Sequence, residues 1–229
     1  MAKIKVVLFD SNETLLDIAA LDPQFARAFG QAAASDVRKK WFKQVVEQFM
    51  TATVIGAFRP FEELADAALD MVAEAYGYGE PSKDDRAAIH AALLVLPVHA
   101  DVRPALALLR DTDLRLAVLT NSGEKAVRAQ LKHAGVADDF EQILSAAAVR
   151  RYKPAREAYA YAAKELKVDL DEMRLVAAHA WDVSGALAAG CRAAWVRRPE
   201  KALDPHAPAP DVAETGLLAV ARAIVERDR

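Results

Sequence analysis

Ile4 to Phe9 limits what this chain can fold into more than any other stretch. In "IKVVLF" only Lys5 interrupts the apolar run. A strand with one solvated face alternates apolar and polar residues, whereas a run apolar on both faces belongs in a sheet covered on both sides. Such sheets are built from parallel strands joined by helices. The rest of the chain must therefore supply helices and further apolar strands.

It does so after a delay. Residues from about 17 to 94 carry no convincing strand and read as four helices. Leu21, Phe25, Phe29 and Ala32 step by about one turn, with Asp22-Pro23 expected as an N-cap and first-turn proline. Ser35 is expected to cap the next helix, where Val37, Trp41, Val45 and Phe49 recur every fourth residue. A third helix runs from Phe61 through Leu64 and Ala68 to Ala75. After the turn "GYGEPSKDD", a fourth covers Asp85 to Leu96.

Beyond Pro97, strands and helices alternate. Helices are expected at Pro104 to Arg110, Glu124 to His133, Pro154 to Leu166, Val183 to Ala189 and Leu217 to Glu226. Strands are expected at Leu114 to Thr120, Phe140 to Ala146, Arg174 to His179 and Arg192 to Val196, and "DPHAPAP" reads as a loop. This alternation predicts right-handed crossovers in a parallel sheet. The expected class is α/β: a Rossmann-like parallel sheet core from residues 1–16 and 95–229, with a four-helix cap domain inserted at 17–94.

Composition narrows the function classes. The 229 residues are 53% hydrophobic with a formal net charge of −3, and no basic stripe interleaves with aromatics, so no nucleic-acid partner is expected. A single cysteine, Cys191, excludes an internal disulfide and a cysteine metal cluster, and beside Gly190 it reads as a small buried residue. No apolar run approaches the roughly 20 residues of a membrane span, and no signal-peptide layout precedes the first strand. No membrane partner is expected, and a cytoplasmic setting is.

In open parallel sheets, ligands bind beyond the carboxyl ends of the strands. That rule selects Asp10, the run Thr120-Asn121-Ser122, and His179 to Asp182, with Lys153 before a helix on the same side. A carboxylate such as Asp10 can attack carbon or phosphorus and form a covalent intermediate. Taken alone, Asp10 reads equally as an acid closing a strand into a turn.

Four motifs in order, "LFDSNETLLD", "VLTNSG", "RYKPAREAY" and "AAHAWDVSGALAAG", resemble those of the haloacid dehalogenase superfamily, and within it the L-2-haloacid dehalogenases. The resemblance implies that Asp10 is the nucleophile, that Lys153 holds it ionised, and that Asp182 is the acid of the fourth motif. It implies a substrate-contacting set of Ser11, Asn12, Thr14, Thr120, Asn121, Ser122, Phe42 and Trp181, a small 2-haloacid substrate, and a homodimer. Phosphatases of the superfamily generally carry an Asp where this chain has Asn12. An amide cannot donate and recover a leaving-group proton, and a departing halide needs none. With Asp182 as the lone acid of the fourth motif, a hard cation is poorly supplied with oxygens, so metal-independent catalysis without a cofactor is expected.

The chain departs from its relatives at two positions together. Gly is expected where Glu13 stands, and Asn where His179 stands. Glu13 is expected to orient His179 as the base that activates water; the plainer alternative is a loop Glu and a strand-end His bonded to backbone. The arginine that the family's cap brings to the halide aligns with Phe42, and Arg38, Lys39 and Lys43 fit the register poorly. Trp41, Phe42 and Phe61 form either an apolar wall that excludes water or ordinary core. The competing functions are a Mg²⁺-dependent phosphatase of a small phosphomonoester, and a catalytically silent relative acting as a binding protein.

Overall fold

The computed structural model describes residues 3–228. Six parallel strands form one sheet in the order β3-β2-β1-β4-β5-β6. They are β1 (Val6–Phe9), β2 (Arg115–Thr120), β3 (Gln142–Ser145), β4 (Met173–Ala177), β5 (Arg192–Arg197) and β6 (Val212–Thr215). β1 is central, paired with β2 on one side and β4 on the other. Its even and odd residues serve different cores. Val7 and Phe9 face one hydrophobic cluster, Val6 and Leu8 the other, and all four are fully buried. That double burial is why the strand reads as an unbroken apolar run.

The chain is helical between β1 and β2. A short 3-10 turn (Ile18–Leu21) leads into α1 (Asp22–Phe29), α2 (Ala34–Val54), α3 (Phe61–Ala75) and α4 (Lys83–Leu93), and α5 (Val102–Arg110) then returns to the sheet. Val37, Trp41, Val45 and Phe49 of α2 are buried along one stripe. Residues four apart share a helix face, which fixes which side of α2 packs inward. The remaining helices are α6 (Glu124–His133), α7 (Arg156–Leu166), α8 (Ala180–Ala189) and α9 (Leu217–Arg227). Among the described residues no helix is long and apolar enough to cross a membrane.

Several local expectations need correction. Asp22 is the first residue of α1, not its cap, and its carboxylate instead meets Arg38 Nε at 2.5 Å. Ser35 lies inside the first turn of α2, and Ala33 occupies the cap position without a side-chain bond. The cap of α4 is Ser82, whose Oγ accepts from Asp85 N, so this helix starts and ends earlier than periodicity suggested. β6 follows the proline-rich loop where no strand was expected. Its "VAET" exposes three of four residues, leaving no apolar alternation to read. Cys191 is buried as expected.

Register places the strand ends side by side. Phe9 pairs with both Val118 and Val176, so the segments after β1, β2 and β4 leave the same edge of the sheet.

Candidate active site

Asp10 follows β1 directly and is 5% exposed. Lys153 Nζ lies 2.9 Å from its Oδ1 and 2.6 Å from Asp182 Oδ2, with no solvent exposure of its own. The ammonium therefore bridges two buried carboxylates. Tyr159 Oη donates to the other Asp182 oxygen at 2.6 Å. Thr14 Oγ1 donates to Asp10 Oδ2 at 2.7 Å and accepts from the Ala178 amide at 3.0 Å, tying the loop after β1 to the end of β4. Burial alone would raise the Asp10 carboxyl, but Lys153, His179 and Thr14 outweigh it and hold it well below the usual range. Asp182 goes the other way: burial and the nearby Asp10 charge raise it despite Lys153 and Tyr159. Burial disfavours the Lys153 charge, but the two carboxylates raise its proton affinity above the ordinary value.

His179 occupies the N-cap position of α8 without a side-chain capping bond. Its Nδ1 lies 3.2 Å from Asp10 Oδ2 and its Nε2 lies 2.8 Å from Glu13 Oε2. Burial would lower the imidazole's affinity for a proton, but hydrogen bonds to Asp10 and Glu13 push it up to about 9. Glu13 is held below its ordinary value by His179 and Lys201 against the opposing effect of burial. Its backbone sits at φ +59°. A side chain in this left-handed region costs about 1–2 kcal/mol relative to glycine, so a carboxylate here is held against a local backbone penalty.

Trp181 stacks on His179 with ring centroids 5.0 Å apart, and Phe42 of α2 approaches the imidazole from the other element at 6.0 Å. These rings and Glu13 border a cavity of about 810 Å³. Asp10 is not part of its wall, whereas His179, bonded to Asp10, is. Arg38, Lys39 and Lys43 also face this cavity, despite their poor register with the family's arginine. Arg38 is buried against Asp22 and Lys39 pairs with Glu200 at 2.6 Å. Trp41 and Phe61 are core instead, Trp41 donating from Nε1 to Ala65 O.

The remaining candidate residues lie behind the cavity wall. Asn121 is turned to the backbone of Lys153, donating to its carbonyl at 3.1 Å and accepting from its amide at 2.9 Å. Thr120 Oγ1 accepts from Ser122 N, and Asn12 Nδ2 donates to Ser122 Oγ at 3.1 Å. Ser11 Oγ and Asn12 Oδ1 are buried with no hydrogen-bond partner among the described residues. Such groups cost about 1–3 kcal/mol when left unpaired, so both are free to take a polar contact beside Asp10. Sequence reasoning missed Tyr159, Arg198 and Lys201. Arg198 donates to Thr14 O at 2.8 Å, and Lys201 Nζ meets Glu13 Oε2 at 2.6 Å. Both follow β5, so the strand-end rule, extended to that strand, would have found them.

Among the described residues, no group of three or more His, Cys, Asp or Glu side chains is arranged to hold a metal ion. A family model described as haloacid dehalogenase-like hydrolase matches residues 4–190. The (S)-2-haloacid dehalogenase 2 of Pseudomonas sp. strain CBS-3 is 28% identical over 217 residues, spanning 95% of this chain and 94% of that protein. The (S)-2-haloacid dehalogenase of Pseudomonas sp. strain YL is 27% identical, spanning 96% and 94%. The structure of L-2-haloacid dehalogenase from Xanthobacter autotrophicus superposes with a TM-score of 0.89 at 25% identity, covering 97% of this chain and 98% of that one.

Proposed function

We propose that this chain, which belongs to the haloacid dehalogenase-like hydrolases, is a hydrolytic dehalogenase of short-chain L-2-haloalkanoic acids. The observation that carries the reading is the imidazole of His179 set between Asp10 and Glu13 beside the cavity. The names of the relatives support the substrate class.

Asp10 attacks C2 in line with the carbon–halogen bond, halide leaves, and the product is an aspartyl ester inverted at C2. Oδ2 already accepts from Thr14 and faces His179, whereas Oδ1 is engaged by Lys153 alone. Oδ1 thus keeps a lone pair and is the attacking atom. Lys153 offsets the repulsion between anionic nucleophile and anionic substrate. Ser11 and Asn12 are the unspent polar groups beside it. Halide departs as a stable anion, so Asn12 in place of an acid is no handicap, whereas a phosphomonoester would need a proton donor there.

The second half is ester hydrolysis. Water between His179 and the carboxyl carbon of Asp10 loses a proton to Nδ1 and attacks, while Nε2–H stays on Glu13. The tetrahedral intermediate collapses with the 2-hydroxy oxygen leaving, protonated through the imidazole. Asp10 regains its carboxylate, and a D-2-hydroxy acid departs. We read residues 17–94 as a cap whose helix α2 presents Phe42 and the basic residues to the cavity. No metal takes part: the Lys153 ammonium is the cation between Asp10 and Asp182.

The test is halide release from L-2-bromopropionate and chloroacetate in EDTA, beside Asp10→Asn. His179→Asn should release halide in a first-turnover burst and retain the ester as a mass adduct on Asp10, with hydrolysis slowed on the order of 10²–10⁴-fold. Absence of halide release from the folded wild type would overturn the proposal.

A further inference from the structure

The loop after β5 has no part in the chemistry so far, yet three charged side chains within four residues, Arg198, Glu200 and Lys201, tie it to other parts of the fold. Arg198 donates to Thr14 O and to Asp101 Oδ2, each at 2.8 Å. The carboxylate of Glu200 meets Lys39 Nζ of α2 at 2.6 Å. Lys201 turns back to Glu13 at 2.6 Å. The reversal that allows this is Glu200 itself, whose backbone lies at φ +61°. A non-glycine residue there costs about 1–2 kcal/mol, and the bend directs neighbouring side chains to opposite partners. Both members of the Lys201–Glu13 pair are shielded, with 23% and 18% of their side chains exposed. A fully solvated pair would be worth little.

The contact matters because of which atom it uses. Glu13 Oε2 accepts from Lys201 Nζ and also faces His179 Nε2 at 2.8 Å. One oxygen divided between two donors gives less to each. A lysine cation beyond the carboxylate also opposes a second positive charge on the imidazole. We propose that Lys201 is a positioning residue that sets how tightly His179 holds its proton, so that the working unit is Lys201–Glu13–His179. This rests on the reading of His179 as the base for ester hydrolysis.

The balance of charge around the imidazole shows the need. Two carboxylates, Asp10 and Glu13, face His179 directly. Together they hold its proton to about pH 9; once Asp10 is esterified Glu13 is the carboxylate that remains, and a cation on Glu13 then decides how far the imidazole's proton affinity falls. Other charges nearby are engaged elsewhere: Lys153 between Asp10 and Asp182, Arg38 with Asp22, Lys39 with Glu200, and Arg198 with Asp101. His99, on the same cavity, is pushed towards its neutral form by burial and by Arg198. Asp17 accepts from the Ala19 amide, and Lys43 faces the cavity from an exposed position on α2. Lys201 is thus the cation placed to offset Glu13.

The experiment uses the whole protein with Lys201→Met, Lys201→Gln and Lys201→Arg. His179 is titrated by NMR of its ring nitrogens, and halide and hydroxy-acid formation from L-2-bromopropionate are followed across pH. In the Met and Gln variants the His179 titration and the acid limb of ester hydrolysis should both move to higher pH, by about 0.5–1 pK unit, and Arg should restore both. A uniform loss of rate at every pH with an unmoved imidazole titration would overturn the proposal; if Met fails to fold, Gln decides. The NMR readout does not depend on turnover. Full multiple turnover in His179→Asn would sink the base reading alone, and an unmoved titration the role of Lys201 alone.

Discussion

If Asp10 is alkylated during turnover, a negative charge disappears 3.2 Å from His179 Nδ1, and the imidazole should release its proton. In the resting enzyme the ring holds that proton up to about pH 9, because Asp10 and Glu13 both stabilise the cation. An imidazolium cannot act as a base. Unit charges about 4 Å apart interact by about 4 kcal/mol at an effective dielectric near 20, which is roughly 3 pK units and an upper limit for a site bordering a cavity. Esterification should therefore bring His179 from about 9 to about 6–8, where the neutral ring is available. On the proposed mechanism, the step that creates the ester would thereby switch on the base that hydrolyses it. In a rapid-quench single-turnover experiment with L-2-bromopropionate, halide release should vary little with pH below about 9. Hydroxy-acid formation should rise with an inflection between about 6 and 8. At neutral pH an indicator dye should record proton release together with halide, before product. Hydrolysis that is flat from about pH 5.5 to 9.5, or that follows the resting-state titration of His179, would refute the reasoning.

Three further outcomes follow from the same geometry. Glu13→Gly should relieve about 1–2 kcal/mol of left-handed backbone cost yet slow ester hydrolysis, so unimpaired turnover would count against Glu13 as the partner of His179. Lys153→Met should lose both halide release and stability, by about 3–5 kcal/mol in denaturant melts, because it leaves two buried carboxylates without their cation; a loss below about 1 kcal/mol would show that the cluster is better solvated than its burial indicates. The raised proton affinity of His179 predicts stability that is fully present below about pH 6.5 and lost as pH rises through about 9, by about 3 kcal/mol at most. His179→Asn should flatten that part of the curve, and an unchanged alkaline decline would exclude His179 as its source.

How much of this was legible beforehand depended on where each residue sits. β1 and β2 are buried on both sides, so their identity as strands was plain, and Asp10 and Thr120 fell at their ends. α2 announced itself by the fourfold spacing of Val37 to Phe49, all buried. β6 gave no such signal, because an edge strand with three exposed residues carries no burial pattern. Helix starts were misjudged at Asp22 and Ser35 for a related reason: Ser and Asp fit the cap in isolation, and a tertiary partner, Arg38, claims both, Asp22 at 2.5 Å and Ser35 at 3.5 Å.

The site divides the same way. Asp10, Lys153, Asp182 and His179 could be singled out because each stands in a motif at a strand end or before a helix, and their side chains meet in the fold. Lys201 was not, since the strand-end rule was not carried to β5, and that rule marks the loop "RRPEK" without singling out one residue in it. What distinguishes it is the turn at Glu200, and a left-handed φ at a glutamate cannot be read from residue types. Glu13 and Glu200 are the two acids held in that conformation beside the cavity, and each lies 2.6 Å from a lysine, Lys201 and Lys39. A chain free to relax would place glycine at both turns. It carries carboxylates instead, at a backbone cost of about 1–2 kcal/mol each; at Glu13 the shielded Lys201 contact and the His179 bond oppose that cost, whereas the solvated Lys39–Glu200 pair offsets little of it, and Glu13→Gly and Glu200→Gly measure the difference directly.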